Sequence, residues 1–133
     1  MKPRILVVED DEAVARQLYW TLSGPYEVLI AHDMHTAVRR AMLYEPDVSV
    51  LDLHLPPNPE SPDAGLRMVE YIKSQRPDSK VLVISSANGI ETQKACFAVG
   101  ADEFLDKPFE TQDLLVAVRR IAPSQRSEFA STF

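Results

Sequence analysis

Short apolar runs that alternate with helical spacing from end to end leave this chain few folds to choose from. The runs cover residues 5–8, 26–31, 48–51, 81–84 and, more weakly, 103–105. The first, third and fourth are almost uniformly β-branched or leucine, as in strands covered on both faces of a parallel sheet. Between the runs, Val14, Leu18 and Leu22 repeat at i, i+4 and i+8; Leu66, Val69 and Ile72 form a second stripe, and Leu114, Val118 and Ile121 a third. A shorter helix is expected over residues 36–43, where Ala37 and Ala41 share a face. Residues 89–99 are helical by propensity but poor in apolar side chains, and Gly100 is placed to close that helix. Pro25, Pro46 and Pro77 stand just beyond helix ends, where proline stops a helix cheaply. The pattern predicts an α/β fold: one doubly wound (βα)5 domain with a five-stranded parallel sheet between helices.

Size agrees. A chain of 133 residues is one ordinary domain and buries enough surface to fold without staples. Residues 1–122 are expected to form the domain, and 123–133, which lack periodicity, to be a tail or the start of a linker. Fourteen Lys and Arg against twenty Asp and Glu give a net charge of −6, which argues against nucleic acid or an anionic membrane as direct partner. The single cysteine, Cys96, excludes an internal disulfide and fits a reducing cytosol. No run approaches the length of a membrane span, and Met-Lys-Pro-Arg enters the first strand without a secretory signal. A cytoplasmic location is expected.

In open α/β sheets the ligand site lies beyond the carboxyl ends of the strands. Those ends carry Glu9, Asp10 and Asp11 after the first strand, Asp52 after the third, Ser85 and Ser86 after the fourth, and Asp106-Lys107-Pro108 after the fifth. Carboxylates ~4 Å apart repel by about 4 kcal/mol at an effective dielectric of ~20, so such a rim needs a cation. An all-oxygen donor set favours a hard ion, Mg²⁺. Each residue also has a plainer reading. Asp10 or Asp11 could cap the first helix, Ser86 is common at a strand end, and Lys107 could be solvated. Asp52 is harder to dismiss, because it ends a strand buried on both faces. The first turn, Glu-Asp-Asp-Glu, repels phosphate, and no GxGxxG, GxxxxGK[ST] or Gly-x-Ser-x-Gly segment occurs. His32, His35 and His54 have no zinc-like spacing. Arg39-Arg40 and Arg119-Arg120 are expected in the last turns of their helices, complementing the dipole.

The segments Ile-Leu-Val-Val-Glu9-Asp10-Asp11, Leu-Asp52-Leu-His54-Leu-Pro56, Ile-Ser85-Ser86-Ala87 and Lys107-Pro108-Phe109 resemble, in order, the motifs of the receiver domain of bacterial two-component response regulators, a flavodoxin-like fold. The likeness covers about residues 3–121. It implies that Glu9 and Asp10 are the acidic metal-binding pair, that Asp52 is the phosphoacceptor, and that the His54 backbone carbonyl completes the protein ligands of Mg²⁺. It also implies that Ser86 is the switch hydroxyl, Phe104 the switch aromatic and Lys107 the phosphate-pairing lysine, with a cis bond before Pro108.

By the same resemblance, a sensor histidine kinase or phosphotransfer protein is the donor. Phosphorylation would switch the face of the fourth helix, fifth strand and fifth helix, acting on transcription through a domain outside this chain or on a partner protein, with a homodimer on phosphorylation as one form of output. The domain would be a signalling module whose only chemistry is its own phosphorylation and dephosphorylation. Two departures stand out: Glu9 replaces the commoner Asp, and the loop after Asp52, which carries Pro56, Pro57, Pro59 and Pro62, is longer than in most receivers. That loop looks like receivers attached to ATPase-type activators of alternative-sigma-factor promoters. Phe97 is expected to be ordinary packing. The rival readings are an aspartyl-phosphate phosphatase of the haloacid-dehalogenase type and a non-phosphorylated pseudo-receiver. The first wants its nucleophile on the first strand, the second a missing Asp, Lys or hydroxyl.

Overall fold

The computed structural model describes residues 1–56, 58–86 and 89–126. Strands and helices alternate through β1 (Arg4–Val8), α1 (Glu12–Leu22), β2 (Glu27–Ala31), α2 (Met34–Tyr44), β3 (Val48–Asp52), α3 (Asp63–Gln75), β4 (Lys80–Ser85), α4 (Ile90–Ala98), β5 (Glu103–Asp106) and α5 (Thr111–Ile121). The strands pair in parallel in the order β2-β1-β3-β4-β5. This is the doubly wound sheet expected from the alternation of patterns. The chain crosses to the other side of β1 after β2, so the C-terminal ends of β1 and β3 lie side by side where the winding reverses.

The period of two along each strand sorts side chains into two cores. Ile5, Val7, Val48, Val50, Leu82 and Ile84 face α1 and α5, where Leu18, Leu22, Leu114 and Val118 meet them. Leu6, Val8, Leu51, Val81 and Val83 face α2, α3 and α4. The central strands have no solvent face, which is why they read as unbroken apolar runs, whereas edge strands β2 and β5 are only partly covered.

Helix ends explain most departures from expectation. Asp33 caps α2, accepting from the Thr36 amide at 2.7 Å; this hydrogen bond holds its carboxyl below the usual range. α2 runs on to Tyr44 and stops at Glu45, which takes the left-handed conformation (φ 48°) without being glycine. Arg39 and Arg40 therefore sit inside α2 rather than in its last turn, while Arg119 and Arg120 do end α5. Gly100 closes α4 with φ 114°, a conformation that costs a side-chain-bearing residue dearly, and its amide reaches the Phe97 carbonyl at 3.1 Å.

α4 is lightly held. It buries Cys96, where α3 buries Met68, Val69 and Ile72, and it has no side-chain N-cap. At roughly 1.5–3 kcal/mol for each fully buried aliphatic side chain, its anchorage is weaker than that of α3 by several kcal/mol. Phe97 is 48% exposed and so is not ordinary packing. Among the described residues, no helix is long and apolar enough to cross a membrane.

Candidate phosphoacceptor site

Glu9 and Asp10 follow β1 directly, Asp52 is the last residue of β3, and Lys107 follows β5. One ligand oxygen from each of Glu9, Asp10 and Asp52 can be chosen so that all lie within 4.8 Å of one another. Glu9 is wholly buried, Asp52 is 6% exposed, and Asp10 faces solvent. Asp11 belongs elsewhere: its Oδ1 accepts from the amides of Ala13 (2.9 Å) and Val14 (3.1 Å), capping α1. The acidic turn thus divides its labour, with two carboxylates on the rim and one on the helix.

Lys107 lies over this cluster, its Nζ 2.6 Å from Glu9 Oε1 and 3.2 Å from Asp52 Oδ2. One ammonium cannot compensate both acids at such depth. Burial pushes the Glu9 carboxyl up to about 7, the hydrogen bond from Lys107 opposes this, and the charge of Asp52 adds to it. Burial alone would lower the lysine, but its bond to Glu9 and the charge of Asp52 outweigh that and hold it above its ordinary range. The cluster is short of positive charge.

Neighbouring contacts fix the acids in place. The His54 amide donates to Asp52 Oδ1 at 3.2 Å, and the Asp11 amide to Glu9 Oε2 at 3.2 Å. His32 Nδ1 lies 3.0 Å from the Glu9 carbonyl oxygen, tying the end of β2 to the acidic turn. This contact was not anticipated from the sequence, where His32 is one unspaced histidine among three. Gly65 makes a further contact that no local sequence pattern signals. Its amide donates to the Leu53 carbonyl at 3.2 Å, and a Cβ there would stand 2.4 Å from Leu53 Cα. The start of α3 can lie against the backbone just after Asp52 only because residue 65 has no side chain.

Ser86 is exposed and lines a cavity with Val14, Gln17, Lys107, Pro108 and Phe109. Phe104 is partly buried on the α2–α4 side of the sheet, paired in register with Val83. The Lys107–Pro108 peptide is cis, and the Lys107 amide donates to the Ser85 carbonyl at 2.9 Å. Ala87, the residue after the hydroxyl in the sequence motif, and Pro57 of the proline-rich loop lie outside the described residues.

A parallel five-stranded sheet thus carries three clustered carboxylates, a lysine and a hydroxyl at its C-terminal rim, a constellation of the kind the receiver resemblance implies. Comparison with known proteins agrees. A family model described as the response regulator receiver domain matches residues 5–119, and the chain belongs to that family. It is similar to the Response regulator MprA of Mycobacterium bovis (strain BCG / Pasteur 1173P2), 33% identical over 132 residues, which are 98% of this chain and 55% of that protein. MprA of Mycobacterium ulcerans (strain Agy99) is 34% identical over 122 residues, 91% of this chain and 50% of the relative. The chain thus spans about half the length of the curated relatives it matches. Among solved structures, a BeF3-activated DrrB receiver domain superposes with a TM-score of 0.82 at 26% identity, covering 91% of this chain and 97% of the other. Chemotaxis response regulator CheY4 of Vibrio cholerae gives 0.81 at 27%, covering 91% and 99%.

The incompletely compensated burial of Glu9 sets up a stability test. Glu9→Gln keeps the shape and removes the charge. A carboxyl raised from 4.5 to about 7 costs stability as pH rises through that window, and the full cost is in force above it. In chelator at pH 8, Glu9→Gln should therefore melt several degrees higher than the parent, and the advantage should vanish as the pH falls to 4.5. Differential scanning calorimetry reads this directly; a variant that melts lower at pH 8 would mean the Lys107–Glu9 bond outweighs the burial cost.

Proposed function

We propose that this receiver domain accepts a phosphoryl group on Asp52 from the phosphohistidine of a sensor histidine kinase or phosphotransfer protein, in a reaction that requires Mg²⁺. The observation that supports it best is the convergence of Glu9, Asp10 and Asp52 within 4.8 Å around a buried carboxyl short of positive charge. A hard divalent cation fits such an oxygen set, held by Glu9, Asp10, Asp52 and the backbone carbonyl of His54. When bound, Mg²⁺ supplies positive charge that offsets the carboxylates and the phosphoryl oxygens.

The chain's own groups do the remaining work by position. One Oδ of Asp52 forms a bond to phosphorus as the bond from phosphorus to the donor imidazole breaks. Lys107, 3.2 Å from Asp52 in this state, turns from the acidic pair to a phosphoryl oxygen. The Ser86 hydroxyl then moves to donate to another oxygen, vacating space that Phe104 fills. Because α4 is so lightly anchored, this repacking shifts the α4-β5-α5 face, whose helices carry the exposed Ile90, Phe97 and Val116. Through that face the domain would control transcription by a further domain, or act on a partner protein, with homodimerisation on phosphorylation as one route. The location that fits a kinase donor is the cytoplasm, with no direct contact of this domain to nucleic acid or membrane. On this reading residues 1–122 hold all ten elements that position the phosphoacceptor.

The test is uptake of phosphate from a small donor. Incubation with acetyl phosphate and Mg²⁺ should add one phosphoryl group per chain by mass spectrometry, and chelator should abolish it. A chain that stays unmodified, with metal present and the fold intact by circular dichroism, would instead be a partner-binding pseudo-receiver.

A further inference from the structure

The lower edge of the sheet, opposite Asp52, holds a contact that the phosphoacceptor chemistry does not use. After α5 closes with the Ala122 amide on the Val118 carbonyl, the backbone turns beneath the strands, and the Arg126 amide donates to the Met1 carbonyl at 2.9 Å. The Arg126 side chain then reaches the other layer of helices. Its Nη1 donates to the Glu45 carbonyl at 2.9 Å and to Asp47 Oδ2 at 3.0 Å, and its Nη2 lies 3.4 Å from the Tyr44 carbonyl. Both charged partners are shielded, at 14% and 17% side-chain exposure.

The reason for this anchor lies in α2. Its final carbonyls need donors, and its last turn contains no basic residue. The cations come from elsewhere in the chain: Arg4, whose Nη1 donates to the Tyr44 carbonyl at 2.5 Å, and Arg126, 82 residues from Tyr44. Asp47 joins them. Its Oδ2 also accepts from the Arg4 amide at 2.8 Å, and its carbonyl accepts from the Lys80 amide at 3.0 Å, so one residue links the starts of β1 and β4 to Arg126. A guanidinium with several forked donors suits this set of two carbonyls and a carboxylate; an ammonium does not.

We infer that residues 122–126 are a strap belonging to the folded receiver, passing from the α1/α5 layer under the sheet to the α2 layer and locked there by Arg126 on Asp47 and the end of α2. The folded unit therefore extends beyond α5.

Arg126 is itself a tryptic site, so the lock can be read by cleavage. In the 133-residue chain, release of peptide 127–133 by trypsin should be slow. Arg126→Lys, which keeps a cleavable residue but loses the fork, and Asp47→Asn, which loses the charge, should each release it roughly tenfold faster. The backbone amide of residue 126 should exchange slowly with deuterium in the parent chain and fast in both variants, while acetyl-phosphate labelling of Asp52 stays unchanged. Equal release rates in all three chains, with the Arg126 amide exchanging at the rate of an unstructured peptide, would overturn the strap. So would faster cleavage accompanied by equal loosening of β1 and α2, since the variants would then be unfolding the domain as a whole.

Discussion

Asp52→Asn should take up no phosphoryl group from acetyl phosphate or from a kinase while keeping the fold. The substitution is nearly isosteric at a position 6% exposed. The side-chain oxygen still accepts from the His54 amide, and Lys107 keeps its 2.6 Å bond to Glu9. What disappears, on the proposed reading, is the nucleophile, because an amide oxygen carries no full charge and forms no stable acyl phosphate here. Neighbouring acids are poor substitutes for different reasons. Glu9 is wholly buried under Lys107, and Asp11 spends an oxygen on two amides of α1. Asp10 alone is exposed among the clustered acids, so any residual label should sit there and vanish in the Asp10→Asn, Asp52→Asn double variant. Mass spectrometry of intact protein and peptides checks both statements. Undiminished labelling of Asp52→Asn would move the acceptor to another residue and remove the basis of the proposed reaction.

Legibility in the sequence followed burial. The central strands were readable because they are covered on both sides, which forces unbroken apolar runs, and Asp52 was readable because a carboxylate ending such a strand needs a reason. α2 was read short, at 36–43, because it buries little beyond Ala37 and its stop at Glu45 carries no glycine signal. The acidic turn was ambiguous for a chemical reason: Asp is equally suited to a metal ligand and a helix cap, and only three-dimensional placement assigned Asp11 to the cap. Contacts of long sequence separation were invisible. His32 on the Glu9 carbonyl and Arg126 on Asp47 depend on which loops the sheet order brings together, and no local pattern records that. Family membership, by contrast, was legible over nearly the whole domain, because its motifs stand in order at the strand ends.

Gly65→Ala should be strongly destabilising. In a helix interior alanine normally gains about 1 kcal/mol over glycine. Here the added Cβ would stand 2.4 Å from Leu53 Cα, 2.6 Å from its carbonyl oxygen and 2.8 Å from its carbonyl carbon. Those are backbone atoms of a wholly buried residue, so nothing can rotate aside; either α3 moves outward or the chain after β3 shifts. Overpacking of this kind costs typically 1–3 kcal/mol and occasionally more, and a rigid backbone obstacle belongs at the upper end. Net of propensity, a loss of about 2 kcal/mol and a fall of roughly 6–10 °C in melting temperature are expected. The displacement is adjacent to Asp52, so labelling by acetyl phosphate should slow even below the melting transition. Gly24→Ala is the matched control, because a Cβ there meets nothing within 4 Å, and its melting temperature should stay at or slightly above the parent value. If Gly65→Ala melts with the control and labels at the parent rate, α3 can withdraw without cost and does not position the phosphoacceptor; a fall in both quantities means the glycine holds the helix and the acidic site in one register.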